Sequence, residues 1–182
     1  MDRPARRRVL TGLGASVAGL AGCLGLGGGG DGGETDPGAT WLTTPMTDVL
    51  TDETFTIGSF DRPVVLETFA VWCSICTDQQ REVWEFHGAV GDDAVSVSLN
   101  VDPNEDARRV RDHAAGHGFD WRYAVAPPSV TRSLVNRFGQ GVTNAPSAPV
   151  VRLCPGGSAR KLRDGVKPAD ELRTAIERCS TA

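Results

Sequence analysis

The sequence predicts an α/β domain, and three observations predict it. Between Trp41 and Cys179, strand-like and helix-like segments alternate, the order expected when helices cover a central sheet. The run from Val64 to Ala70 is short, apolar and rich in β-branched residues, and it passes directly into "WCSICTDQQREVWEFHGAV", where apolar residues recur at helical spacing. "AVSVSLNV", from Ala94 to Val101, alternates apolar and polar side chains, which is the period of a strand.

In chain order, Thr54 to Ile57 alternates and reads as a short strand, with a turn between Gly58 and Pro63. Val64 to Ala70 follows as a buried strand, and Val83, Phe86 and Val90 give the next helix one apolar face. Cys73 therefore falls where a strand ends and a helix begins. After the strand 94–101, Asp102, Pro103 and Asn104 form a turn, and "EDARRVRDHAAGHG" reads as an exposed helix ended by Gly116 or Gly118. "WRYAVA" is a short strand, and Pro127 and Pro128 introduce a helix from Ser129 to Phe138, stopped by Gly139. "PVVRLCPGG" is a strand with a turn and "ARKLRDGV" its hairpin partner. Pro168 opens a last helix, Ala169 to Arg178, with Leu172, Ala175 and Ile176 on its apolar side.

Ahead of this body, "RRRVLTGLGASVAGLAGC" orders charged, apolar and small residues as secretory signals do. Its arginine pair resembles a Tat signal, and "LAGC" resembles a lipobox that would make Cys23 the lipidated first residue of the mature chain. The alternative is an uncleaved membrane anchor, for which the glycine content of Val9 to Leu26 is ill suited. Residues 24–40 are dominated by glycine and read as a flexible tether. The expected organisation is a signal over 1–23, the tether over 24–40 and one folded domain over 41–182. Setting aside the first ten residues, 15 basic side chains face 22 acidic ones; such an acidic body argues against a nucleic-acid partner.

The chemistry centres on Cys73 and Cys76. A thiol attacks a disulfide only as the thiolate, and unpaired N–H groups at a helix N-terminus lower a cysteine's pKa. Cys73 is thus the candidate nucleophile, and Cys76, one helical turn on, the candidate resolving thiol. Glu67 interrupts an apolar strand six residues before Cys73; a charge there needs a purpose unless the strand is an edge strand with Glu67 turned outward.

The element order, with W-C-x-x-C at the end of the first long strand and a proline-led strand, hairpin and helix afterwards, resembles the thioredoxin superfamily. The added helix and strand between Asp102 and Ala126, with the export signal, look most like its membrane-tethered TlpA/ResA type. "FAVWCSIC" is the most specific part of the resemblance, which spans about Thr54 to Cys179. It implies a thioredoxin-like mixed sheet flanked by helices, thiol-disulfide oxidoreductase activity, a proton-relay role for Glu67 and a place for Trp72 on the substrate surface. It also implies a cis-proline opposite the cysteines. Pro146 suits the spacing upstream and Pro149 the spacing downstream, and Pro149 is preferred because a proline inside a central strand would break its ladder.

Four cysteines remain outside the lipobox, and in an exported chain an even count suggests pairing. A structural disulfide between Cys154 and Cys179 would staple the last helix to the sheet. Read instead as a four-thiolate zinc site, the second pair is spaced too widely for a knuckle. A copper-carrier reading, as in the related Sco-type proteins, wants C-x-x-x-C and a later histidine, whereas His87, His113 and His117 lie in the earlier helices, at positions expected to face solvent. No cofactor or metal is expected. The expected partners are protein or small-molecule thiols and disulfides, the membrane through the lipid, and by analogy an integral-membrane electron donor if the chain acts as a reductase. The protein is expected as a monomer on the outer face of the cytoplasmic membrane. A metallochaperone or binding module on the same fold, without redox turnover, is the alternative. Ser74 and Ile75 between the cysteines leave the direction of electron flow open.

Overall fold

The computed structural model describes residues 36–181. The expected signal, with its lipidation site Cys23, lies outside the described residues, as does all but the end of the tether. Among the described residues no helix is long and apolar enough to cross a membrane.

Among the described residues seven strands and five α-helices follow in the order α1 (Thr40–Thr43), β1 (Met46–Thr47), β2 (Thr54–Phe55), β3 (Val64–Phe69), α2 (Ser74–Val90), β4 (Val95–Asn100), α3 (Ala107–His117), β5 (Arg122–Val125), α4 (Pro128–Phe138), β6 (Val150–Leu153), β7 (Ala159–Lys161) and α5 (Ala169–Glu177). The five-stranded sheet runs β5-β4-β3-β6-β7. β3 pairs parallel with β4 and antiparallel with β6, β5 extends the parallel side and β7 the antiparallel side. The mixed α/β architecture is the one the sequence predicts, including the helix and strand (α3 and β5) inserted after β4.

β3 is buried along its whole length because it has a partner on each edge and helices over each face. Val65 and Phe69 project into one core with Val83 and Phe86 of α2, Val110 of α3 and Leu172 of α5. Val64 and Leu66 project into the other, with Val130 and Leu134 of α4 and Trp41 of α1. Fully burying each of these side chains stabilises the fold by about 1.5–3 kcal/mol. The two-residue alternation of a strand puts Glu67 on the Val65 and Phe69 side, under α2.

Element ends follow their capping chemistry. Asp106 precedes α3 and its carboxylate accepts the Arg109 N–H at 2.8 Å, so that helix starts two residues later than its charge pattern suggests. Gly118 closes it at φ 73°, a left-handed conformation that glycine adopts without a Cβ clash. β2 gains a partner the pattern does not reveal: Met46–Thr47 pairs with it as a separate two-stranded ribbon. Ala94 and Val101 lie just beyond the ends of β4, and β7 keeps only three residues of the expected hairpin arm.

Candidate active site

Cys73 is the N-cap residue of α2, and its sulfur accepts the Cys76 N–H at 3.2 Å. The helix begins here because a turn after β3, closed by the Cys73 N–H on the Ala70 carbonyl at 3.1 Å, leaves Cys73 extended at φ -88° and ψ 102°, with the first-turn N–H groups free to point at sulfur. The two cysteines are joined as a disulfide with Cα atoms 5.3 Å apart. Cys73 is only slightly exposed and Cys76 fully buried, so an incoming thiol meets Cys73 first. Beside them Trp72 and Ile75 are open to solvent, Trp72 at 63% of its full exposure. Its indole N–H donates to the Asp102 carboxylate at 2.6 Å, and that bond holds Asp102 below the usual carboxylate range.

Across from the cysteines lies the segment Ala145–Pro149. The Cys76 sulfur sits 3.2 Å from the Ala145 carbonyl. Pro149 immediately precedes β6, and its carbonyl accepts the Thr68 N–H at 3.1 Å; Pro149 is buried and Pro146 exposed. The expected cis bond is corrected: among the described residues every peptide bond is trans, at Pro146 and Pro149 alike. The chain reverses instead at Ala148, which adopts a left-handed φ of 46° directly before Pro149.

Glu67 is wholly buried at the centre of the sheet, which rules out the outward-facing edge position. Its Oε2 accepts the Ser98 hydroxyl at 3.0 Å, and Ser98 in turn accepts the Trp121 indole N–H at 2.9 Å. Burial pushes the Glu67 carboxyl up to about 8, against smaller lowering effects of the Ser98 hydroxyl, the Lys167 charge and the Gln80 amide. Its other oxygen, Oε1, has no hydrogen-bond partner; the Gln80 amide lies beyond bonding range yet near enough to act on the charge. Such a carboxyl is protonated at neutral pH and can give or take a proton within the core.

Several participants carry no sequence signal that singles them out. Glu105 accepts the Val71 N–H at 2.8 Å and the Asn100 amide at 2.6 Å, fixing the chain just before the cysteines. Gln80 bonds His113 Nε2 at 2.6 Å. His113 is thus not simply solvent-facing: it stacks on Phe69, and burial followed by the neighbouring His117 pushes its pKa down to about 4. Trp84 is exposed and takes no part in the site, whereas Trp121 is core and reaches Glu67 through Ser98. Away from the redox pair, Cys154 after β6 and Cys179 after α5 form a second disulfide, Cα atoms 5.3 Å apart. It attaches the C-terminal helix to the sheet.

Comparison with solved structures places this geometry. The fold is thioredoxin-like. A thiol:disulfide interchange protein of the thioredoxin family from Chlorobium tepidum superposes with a TM-score of 0.65 at 16% identity, over 82% of this chain and 98% of that one. A putative electron transfer protein from Aquifex aeolicus gives 0.63 at 16%, over 79% and 99%. A secreted disulfide oxidoreductase of Mycobacterium tuberculosis, homologous to E. coli DsbE, gives 0.60 at 15%, over 75% and 96%. No family model matches the chain, and no curated protein matches its sequence. At such identities the likeness speaks for the thioredoxin-like fold alone.

Proposed function

We propose that this chain is a thiol-disulfide oxidoreductase working through the Cys73/Cys76 couple, anchored by a lipid on Cys23 to the outer face of the cytoplasmic membrane. The observation that carries the activity is the Cys73 sulfur capping α2, where the first-turn N–H groups favour thiolate. The solved structures of similar fold that are named as disulfide oxidoreductases support it.

In the reducing direction the Cys73 thiolate attacks a substrate disulfide. A Cys73–substrate bond forms, and the substrate sulfur that leaves takes a proton from solvent. Cys76 then gives its proton to the Glu67 carboxylate and attacks Cys73; the mixed bond breaks, the second substrate sulfur departs as thiolate and takes a proton from solvent, and two electrons have passed to the substrate. In reverse, an incoming thiolate opens the Cys73–Cys76 bond, and protonated Glu67 supplies the proton that the departing Cys76 needs. With Glu67 held near 8, the disulfide form at neutral pH is poised for that second direction. The net direction follows from the couple's potential, measured by equilibration with glutathione.

The anchor rests on the sequence order of the arginine pair, mild apolar stretch and "LAGC". Three variants test the reading. Cys73→Ser should abolish dithiothreitol-driven insulin reduction while Cys76→Ser accumulates a mixed disulfide; full activity of the first variant would defeat the redox assignment. Cys23→Ser should release the protein from membranes, and a chain that stays bound would defeat the lipid anchor.

A further inference from the structure

Lys167, in the segment joining β7 to α5, is one of two lysines in the chain and is fully buried. Its backbone is clamped from α2: Gln79 accepts the Lys167 N–H at 2.7 Å and donates to its carbonyl at 3.1 Å. The side chain is thereby directed under the cysteine-facing segment, where its ammonium donates to the Ala148 carbonyl and, at 2.7 Å, to the Gly165 carbonyl. Ala148 is the left-handed residue directly before Pro149. The ammonium therefore holds from behind the same short segment whose Ala145 carbonyl meets the Cys76 sulfur.

An ammonium is seldom buried without compensation, because its lost hydration must be replaced. Two carbonyls supply part of that replacement. Glu67 supplies another part: its register partner across the sheet is Val150, two residues beyond Ala148, and each of the two groups favours the charged form of the other. The remaining charges around Lys167 are Lys161 of β7, Arg163 and Asp164 beyond it, and Glu171 of α5. From α2, Glu82 accepts the Ala169 N–H two residues on, and Gln79 and Gln80 are neutral. Tyr123 of β5 also feels the Glu67 charge.

We propose that Lys167 is a positioning residue of the redox site: its ammonium pins Ala148–Pro149 opposite the cysteines and beside Glu67, so the shape of the substrate-facing segment and the proton relay are coupled. The inference rests on the Cys73/Cys76 redox reading, but its test does not depend on turnover.

In the oxidised full-length chain, the Glu67 carboxyl is followed by carbon-13 NMR against pH. Lys167→Met should move its midpoint upward by about one pH unit or more, because the stabilising charge is gone, and Lys167→Arg should move it less. The pH profile of insulin reduction should shift in the same direction. As an independent arm, Glu67→Gln should lower the titration midpoint of the Lys167 amine, since the coupling is reciprocal; this arm decides the matter if Lys167→Met does not fold. An unchanged Glu67 midpoint in folded Lys167→Met, or an unchanged Lys167 midpoint in Glu67→Gln, overturns the proposal. A wild type that titrates as expected yet never reduces insulin would instead defeat the redox reading and leave the coupling intact.

Discussion

Replacing Glu67 by glutamine should make the protein more stable, and increasingly so as the pH rises. Glutamine keeps the size of the side chain and an oxygen to accept the Ser98 hydroxyl bond. In the folded chain the carboxyl holds its proton to about pH 8, against an ordinary value of 4.5. Below pH 4.5 the carboxyl is neutral whether the chain is folded or not, and it contributes no pH dependence. Between those values the unfolded chain gives up the proton while the folded chain keeps it, so stability falls as pH rises and levels off above about 8. At about 1.4 kcal/mol per pH unit the ceiling is roughly 5 kcal/mol. Because Glu67→Gln also removes the charge that helps hold the Lys167 ammonium in the core, a working value is about 2–3 kcal/mol between pH 5 and pH 9. The assay is urea denaturation of both proteins with their disulfides intact at pH 5, 7 and 9. The midpoint of the variant should advance on the wild type by about 1–2 M over that range. Contributions from groups not coupled to Glu67, His113 among them, cancel in the difference. Stability curves that run parallel across the whole range would refute the assignment of a buried, proton-retaining carboxyl at this position.

Two further outcomes are expected. Removing the second disulfide by Cys154→Ala with Cys179→Ala frees a loop closed over a sequence separation of 25 and should cost about 3 kcal/mol, a fall of roughly 10 °C in Tm by calorimetry for a domain of this size. His113, held neutral to about pH 4 against an ordinary 6.5, contributes stability that is lost as pH falls through that interval. Discounted for its partial exposure, the loss is about 1–2 kcal/mol, and His113→Gln should flatten the acid limb of the denaturation profile while leaving the alkaline limb alone.

Much of this fold is legible because its elements carry local signals. The burial of β3 on both faces shows as an apolar run interrupted only at Glu67 and Thr68, and the surface of α3 shows as charge at helical spacing. Cys73 at the strand-to-helix junction follows from those two patterns alone, and Glu67 stands out because it breaks the first. The features that escape are those whose partners are distant in sequence. Nothing local marks Met46–Thr47 as the mate of β2, nor Lys167 as buried, since a lysine between a hairpin and a helix ordinarily lies in solvent. Gln80 and Ser98 look like common helix and strand residues until packing puts both beside one carboxylate. The expected cis-proline came from a family pattern; here the left-handed turn at Ala148 reverses the chain in its place.

The two disulfides have a bearing on how the molecule can be made. Among the described residues four cysteines allow three pairings, and the one found joins neighbours along the chain: the first pair three residues apart, the second 25. Neither loop encloses or crosses the other. Any scrambled pairing would have to close loops roughly three- to fourfold longer than the second, each less probable by about 1 kcal/mol of chain entropy. In an unfolded chain meeting an oxidant, the statistics of encounter therefore already favour the native connectivity, and a polypeptide oxidised progressively from its N-terminal side would finish its first bridge before either partner of the second arrives. The order of the cysteines along the backbone is itself a guard against kinetic scrambling.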